Sequence, residues 1–116
     1  MDLSKIESDL ISEIKLSKLQ AKVFVFITVH GRQTARELAK HFTISESEAS
    51  DVANSLVGMG SLIDLSGGFE AMHPRFTAVN MYRRMCEREK IEFKRNKIVD
   101  GIGAMLENPY DDVRTK

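Results

Sequence analysis

Residues 34–57, TARELAKHFTISESEASDVANSLV, contain two short helical patterns joined by a tight turn. Each pattern opens with the spacing of a capping box, Thr34 to Glu37 and Ser45 to Glu48, in which a hydroxyl and a carboxylate each accept a backbone N–H of the helix start. The turn between the two patterns spans only residues 42–45, the length that connects two crossed helices. The stretch therefore predicts a helix-turn-helix whose second helix covers residues 45–56.

A hairpin is predicted directly after these helices. Residues 61–65 have the composition of a strand, residues 69–73 alternate like a returning strand, and Ser66–Gly68 supply the turn. Pro74 ends the second strand because proline cannot donate a ladder hydrogen bond. The sequence therefore predicts a mainly α (α+β) winged helix-turn-helix whose wing is a two-stranded β-hairpin.

The residues before the helix-turn-helix predict two further helices. Residues 3–14 carry one apolar stripe at spacings of three and four. Ser17 is placed as the N-cap of a second helix, which is apolar on nearly every side and is expected to form the buried centre of the fold. Gly31 is placed to end that helix as a left-handed C-cap.

The C-terminal part predicts one long helix from residue 77 to about residue 106. Its apolar positions exceed what a small domain can cover, so we expect a dimer interface. The domain organisation expected from the sequence is a winged domain with an N-terminal helix over 1–76, a dimerisation helix over 77–107 and a tail without fixed structure over 108–116. The predicted dimerisation residues are Ile91, Ile98, Ile102 and Met105.

This order of elements resembles that of archaeal-type TrmB-like regulators, which are relatives of the MarR group. The stretches that carry the resemblance are residues 19–24 (LQAKVF), 34–56, 59–63 (MGSLI), 69–75 (FEAMHPR) and 80–83 (NMYR). The resemblance implies a homodimer that binds duplex DNA and regulates transcription, with the second helix of the motif in the major groove and the wing near the minor groove. The sugar-sensing domain of larger members has no counterpart here, so sugar binding is not implied.

Two groups of candidate DNA-binding residues follow from that docking geometry. Hydroxyl and amide side chains on the second helix can contact base edges, and basic or hydroxyl groups around the first helix and the wing exit can contact phosphates. The candidate base-reading residues are Ser45, Ser47, Ser50 and Asn54. The candidate phosphate-binding residues are Arg32, Thr34, Arg36, Lys40 and Arg75.

The distribution of charge along the chain opposes this function. The net charge is +0, but residues 45–71 hold five acidic residues and no Lys or Arg, whereas residues 72–97 carry a formal +5. Carboxylates repel phosphates, and arginine–guanine contacts cannot come from the acidic segment. An alternative function is therefore a protein-interaction module that binds a basic partner through its acidic 45–71 face, without sequence-specific DNA binding.

Other classes of site have little support in the sequence. Cys86 is the only cysteine, which excludes an internal disulfide and suits a cytoplasmic location, and we expect a buried thiol there with a redox switch as the alternative. The three histidines lack metal-ligand spacing with one another or with Cys86. We expect no cofactor, no metal, no enzymatic activity and no membrane partner.

Overall fold

The computed structural model describes residues 2–114, which form six helices and a small antiparallel sheet. The architecture is mainly helical and is compatible with a winged-helix-like α+β fold. The elements in chain order are α1 (Leu3–Ile14), α2 (Lys18–His30), β1 (Gln33–Thr34), α3 (Ala35–Phe42), α4 (Glu46–Gly58), β2 (Leu62–Leu65), β3 (Gly68–Ala71), α5 (Pro74–Glu89) and α6 (Lys97–Arg114).

The two helices of the predicted helix-turn-helix, α3 and α4, begin where the capping residues place them. The Thr34 hydroxyl accepts the Glu37 N–H at 3.1 Å, and the Glu37 carboxylate accepts the Thr34 N–H at 2.8 Å, so this capping box is confirmed. At α4 the Ser45 hydroxyl accepts the Glu48 N–H at 3.0 Å, but within residues 2–114 the Glu48 carboxylate does not return a bond. The second capping box is therefore only half formed.

The sheet contains one strand more than the sequence predicts. Strand β1 pairs with β3, and β3 pairs with β2, so the spatial order is β1-β3-β2 with both pairs antiparallel. The turn residues Ser66 and Gly67 both have positive φ, 53° and 89°, as a two-residue hairpin turn of the primed type requires. The Asp64 carboxylate accepts the Gly67 N–H at 3.0 Å and steadies the turn.

Helix α2 is the centre of the core, as its apolar sequence predicts. The buried positions on α2 are Ala21, Val23, Phe24, Val25, Ile27 and Thr28. The helix ends at Gly31 with φ +91° and ψ −167°, which is a conformation open to glycine rather than the predicted left-handed helical one. A Cβ at Gly31 would also lie 2.7 Å from Val113 Cγ1 of α6, so this position needs glycine for conformation and for space.

The single long C-terminal helix predicted over 77–106 is wrong, because the chain forms two helices with a loop over 90–96 between them. Lys90 has φ +56° and ends α5. Asn96 then starts a new helix, since its side-chain oxygen accepts the N–H groups of Ile98 and Val99 at 2.9 and 3.2 Å. The break lets α6 pack against α1, α2 and α5.

The predicted unstructured tail over 108–116 is wrong for residues 108–114, because α6 continues through Arg114. The Arg114 guanidinium lies 3.6 Å from the centroid of the Tyr110 ring and donates to the Ala71 carbonyl at 3.0 Å. These contacts fix the end of α6 against strand β3. Residues 115–116 lie outside the described residues.

Candidate nucleic-acid interface

The outward face of α4 holds the predicted base-reading side chains. Ser47 and Asn54 are exposed and Ser50 is half-buried, while the opposite face of the helix is buried in the core. Asn54 Nδ2 donates to Ser50 Oγ at 3.3 Å, which places these two polar groups side by side. Ser45 lies at the N-cap, where its hydroxyl is already engaged by the Glu48 N–H. The structure therefore brings Ser47, Ser50 and Asn54 onto one accessible surface.

Three carboxylates share the exposed part of α4. Glu46, Glu48 and Asp51 are all exposed, and none of them has an ion-pair partner within residues 2–114. Glu46 and Glu48 lie in the first turn, where a negative charge interacts favourably with the helix dipole. The helix dipole thus accounts for the position of two of the three acids, and the face as a whole stays negative.

Arg32 places a positive charge on the β2–β3 hairpin, which is the predicted wing. Its guanidinium donates to the Leu65 carbonyl next to the hairpin turn and lies against Gly68, where any Cβ would overlap it. The hairpin itself contains no Lys or Arg, so this cation reaches the wing from the residue before β1. The linear charge count could not show this contact, because it depends on the pairing of β1 with β3.

Of the other phosphate-binding candidates, two have unpaired side chains and two have side chains that other groups already engage. Arg36 and Lys40 are exposed one turn apart on α3 and have no ion-pair partner in the described part of the chain. Thr34 uses its hydroxyl to cap α3. Arg75 Nε lies 2.9 Å from Glu107 Oε1, so its charge is already paired with α6. Arg36 and Lys40 are therefore unpaired cations on α3, the helix that packs against α4.

Two arginines from the C-terminal helices also reach the acidic 45–71 segment. Arg84 donates to the Gly58 carbonyl at 2.8 Å, at the C-terminus of α4, where a cation is favourable. Arg114 Nε lies 3.7 Å from Glu70 Oε1 on β3. Together with Arg32, they place three positive charges against a segment that is formally −5 in sequence. The negative surface is therefore narrower than the sequence indicates and centres on α4.

The predicted dimerisation residues do not form one seam. Ile102 is only 1% exposed and belongs to the core, so its predicted interface role is wrong. The reason is the loop over 90–96, which turns that side of α6 onto α1 and α2. Ile91 is exposed in the loop, whereas Ile98 and Met105 are exposed seven residues apart on the outer side of α6.

A cluster of potential metal ligands lies where α5 begins beside α6. Ligand atoms of His73, Glu107 and Asp111 lie within 4.8 Å of one another. However, His73 Nδ1 accepts the Arg75 N–H at 3.3 Å, which leaves the proton of a neutral imidazole on Nε2, 3.4 Å from the Glu107 carboxylate. A metal-bound histidine donates from its other nitrogen, so this arrangement fits a hydrogen bond between His73 and Glu107 better than a metal site. Sequence reasoning missed the cluster because its carboxylates come from a distant helix.

Cys86 is 1% exposed, which confirms the predicted buried thiol. Among residues 2–114, every helix is too short or too polar to cross a bilayer.

Comparisons of the chain with protein-family models, with curated proteins and with solved structures find no match. The resemblance to TrmB-like regulators thus depends on the motif residues of the chain itself.

Proposed function

We propose that this chain is a winged helix-turn-helix protein that binds duplex DNA as a homodimer and regulates transcription. The observation that carries the proposal is the position of Arg32 on the hairpin, because it supplies the wing with the cation that its own sequence lacks. The unpaired Arg36 and Lys40 on α3 add two further cations next to α4.

The proposed docking assigns each element one task. Helix α4 enters the major groove, where Asn54 suits an adenine edge and the Ser47 hydroxyl suits either a base or a phosphate. Helix α3 crosses the backbone, so Arg36 and Lys40 contact phosphates, and the wing brings Arg32 to the next phosphate. The carboxylates of α4 lower the affinity and restrict the sequences that can be bound.

The proposed dimer uses the outer face of α6. Ile98 and Met105 are exposed there at a separation of two helical turns, and between them a Cβ at Gly101 would meet no atom within 4 Å. Binding to two half-sites requires that this dimer hold its two α4 helices about 34 Å apart, one turn of DNA.

The proposal predicts a marked salt dependence. Three phosphate contacts per protomer, from Arg32, Arg36 and Lys40, give six per dimer and a log–log slope of about −5. Fluorescence anisotropy with a labelled promoter duplex over a salt series measures this slope. Arg36→Ala and Lys40→Ala should each reduce its magnitude by about 2, since a dimer loses two contacts, while Lys5→Ala on α1 serves as the matched control. Absence of binding at about 50 mM salt contradicts the proposal.

The Arg32 contact has a test that keeps the charge of the protein constant. Gly68→Ala places a methyl group where the guanidinium lies, and the φ of Gly68 is not in the left-handed region, so the backbone tolerates alanine. The side chain of Arg32 must then leave the wing. Weaker duplex binding with an unchanged fold supports a role of Arg32 on the wing. Unchanged duplex binding would show that Arg32 has no such role.

A second candidate function is suggested by the unpaired acids of α4. Under this alternative, Glu46, Glu48 and Asp51 contact a basic protein, and complementary charges accelerate the encounter. Reversing these charges distinguishes the two functions, because it should strengthen duplex binding in the first case and abolish capture of a basic partner in the second. Failure of the native acidic face to retain any basic protein would exclude the second candidate.

A further inference from the structure

An open groove lies along α5 and extends to Phe93 in the loop that follows this helix. It has a volume of about 410 Å³ and is lined by Arg75, Phe76, Val79, Asn80, Arg83 and Phe93. A second cavity of about 250 Å³ shares Val79 and Phe93 with it, so the two lie next to each other at the Phe93 ring.

Two phenylalanine rings stand at this groove with much of their surface in water. Phe76 is 63% exposed and Phe93 is 49% exposed. Phe93 contacts Tyr82 with ring centroids 5.8 Å apart, so one side of its ring is supported while the rest faces the groove. Exposed apolar groups grouped in this way mark a binding surface. The structure therefore offers two flat aromatic surfaces, one of them fixed from behind.

The charge around the groove indicates what binds there. Residues 72–97 carry a formal +5, and the Arg83 guanidinium at the groove has a neutral partner, the Asn80 side-chain oxygen at 2.6 Å. A second copy placed symmetrically on this face would bring these cations against their own equivalents, and like charges at an interface are strongly unfavourable. An anionic partner is therefore favoured over a second copy.

The extent of the charge favours a polymer over a small anion. The exposed cations of the same segment beyond the larger groove are Arg84, Arg88, Lys90, Lys94, Arg95 and Lys97. Arg88, Lys94 and Arg95 are paired with Glu89, Glu92 and Asp100, whereas Arg84, Lys90 and Lys97 have no ion-pair partner among residues 2–114. A repeating polyanion can use such a spread of cations, whereas one small anion cannot. Aromatic rings beside a cationic track are the combination by which proteins bind single-stranded nucleic acids, because every unpaired base has a face that can stack.

We propose that the α5 groove binds single-stranded nucleic acid, with unpaired bases stacked on Phe76 and Phe93 and the phosphates on Arg83 and the flanking cations. Bases in a duplex are already stacked on each other, so the groove selects unpaired strands. None of the residues that line the groove is among those that the proposed docking brings into contact with duplex DNA.

The test uses the full chain and a fluorescently labelled oligothymidylate of about twelve nucleotides, within the usual size of such sites. Anisotropy measures its affinity at about 50 mM salt and over a salt series, in which each phosphate contact contributes about −0.7 to the log–log slope. Loss of one stacked base corresponds to a decrease in affinity of about 5- to 150-fold, which is expected for Phe76→Ala and for Phe93→Ala. Ile11→Ala, at an exposed isoleucine of α1, is the matched control and should bind like the native protein.

Phe93→Leu separates stacking from general apolar contact. Leucine retains apolar surface but has no flat ring, so the proposal expects it to weaken oligonucleotide binding nearly as much as alanine. Full binding by Phe93→Leu, or no oligonucleotide binding by the native chain, overturns the proposal. Light scattering of the native chain and of Phe76→Ala provides an independent check, because a dimer lost in the variant would show that this face is covered by a second copy.

The two proposed sites can be tested independently of each other. Arg36→Ala and Lys40→Ala should weaken duplex binding and leave oligothymidylate binding unchanged, and the phenylalanine variants should do the reverse. Parallel loss of both ligands in all of these variants would mean that the chain has one nucleic-acid surface, which overturns the α5 groove as a separate site.

Discussion

Two glycines of α6 provide a sharp test of how this helix packs. A Cβ at Gly103 would lie 2.7 Å from Arg75 Cα and 3.2 Å from both Arg75 N and the Pro74 carbonyl oxygen. These are backbone atoms of α5, so they cannot move aside as the end of a flexible side chain would. A Cβ at Gly101, two residues earlier in the same helix, would meet no atom within 4 Å. Alanine at the two positions therefore differs in contact and not in helix propensity.

The expected magnitudes follow from that difference. Alanine in place of glycine inside a helix is favourable by about 1 kcal/mol, so Gly101→Ala should raise the free energy of unfolding by about that amount. Gly103→Ala has the same gain but forces α6 away from α5, and overpacking of this kind costs about 1–3 kcal/mol. The propensity contribution cancels in the comparison, which leaves Gly103→Ala less stable than Gly101→Ala by about 1–3 kcal/mol.

Equilibrium urea unfolding followed by circular dichroism measures both variants against the native chain, with linear extrapolation to zero denaturant. If residues 77–106 formed one continuous helix projecting from the domain, both alanines would stabilise the protein equally. Two equal increases in the free energy of unfolding would therefore refute the close contact between α5 and α6. A free energy of unfolding that is lower for Gly103→Ala than for Gly101→Ala supports this contact.

Three further predictions concern stability and accessibility. Leu106→Ala should lower the free energy of unfolding by about 2–5 kcal/mol in urea titrations, because Leu106 is fully buried, and a cost below about 1 kcal/mol would contradict the position of α6. Thr34→Ala should cost about 1 kcal/mol in the same assay through loss of the cap on α3, whereas Thr34→Ser should retain most of that stability; equal losses in the two variants would argue against the cap. The Cys86 thiol should react with a colorimetric disulfide reagent only when the protein opens, so its labelling rate should rise steeply with urea, and fast labelling in buffer would show that the thiol is accessible.

The features predicted well from the sequence are those fixed by neighbouring residues. The N-cap of α2 at Ser17 and the capping box at Thr34 are set by side chains three residues apart, and the hairpin turn is set by Ser66 and Gly67. Burial of α2 was also predictable, because few polar positions interrupt its sequence. In each case the local chemistry permits few alternatives.

The break between α5 and α6 was not predictable from the same signals. The loop over 90–96 contains neither glycine nor proline, and Ile91, Ile98 and Met105 continue a seven-residue repeat across it. The burial of Val99, Ile102 and Leu106 decides the outcome, since these side chains find a core surface on α1 and α2 once the chain bends. That surface exists only in the folded domain, so no local pattern reveals it.

The candidate site likewise contains some residues whose positions follow from the sequence and others whose positions depend on the folded structure. The exposure of Ser47 and Asn54 follows from helical periodicity and was correctly predicted. The position of Arg32 on the wing depends on a two-residue strand that pairs with residues 68 and 69, and the pairing of Arg75 with Glu107 depends on α6. Charges counted along a sequence therefore gave the wrong picture of the wing, which has a cation that its own residues do not supply.

The packing of α6 against α1 also determines how the domain must fold. These two helices are roughly eighty residues apart in sequence, so the core is completed by one of the longest loop closures available to the chain. Loop closure loses entropy before its contacts form, and chains rich in such distant contacts fold slowly for their size. Helices α3 and α4 pack on each other through local contacts, but helix α2 is covered in part by α6 from the other end of the chain. Bringing the two most distant helices together therefore carries one of the largest loop-closure costs in this fold, while the helices between them carry the proposed DNA contacts.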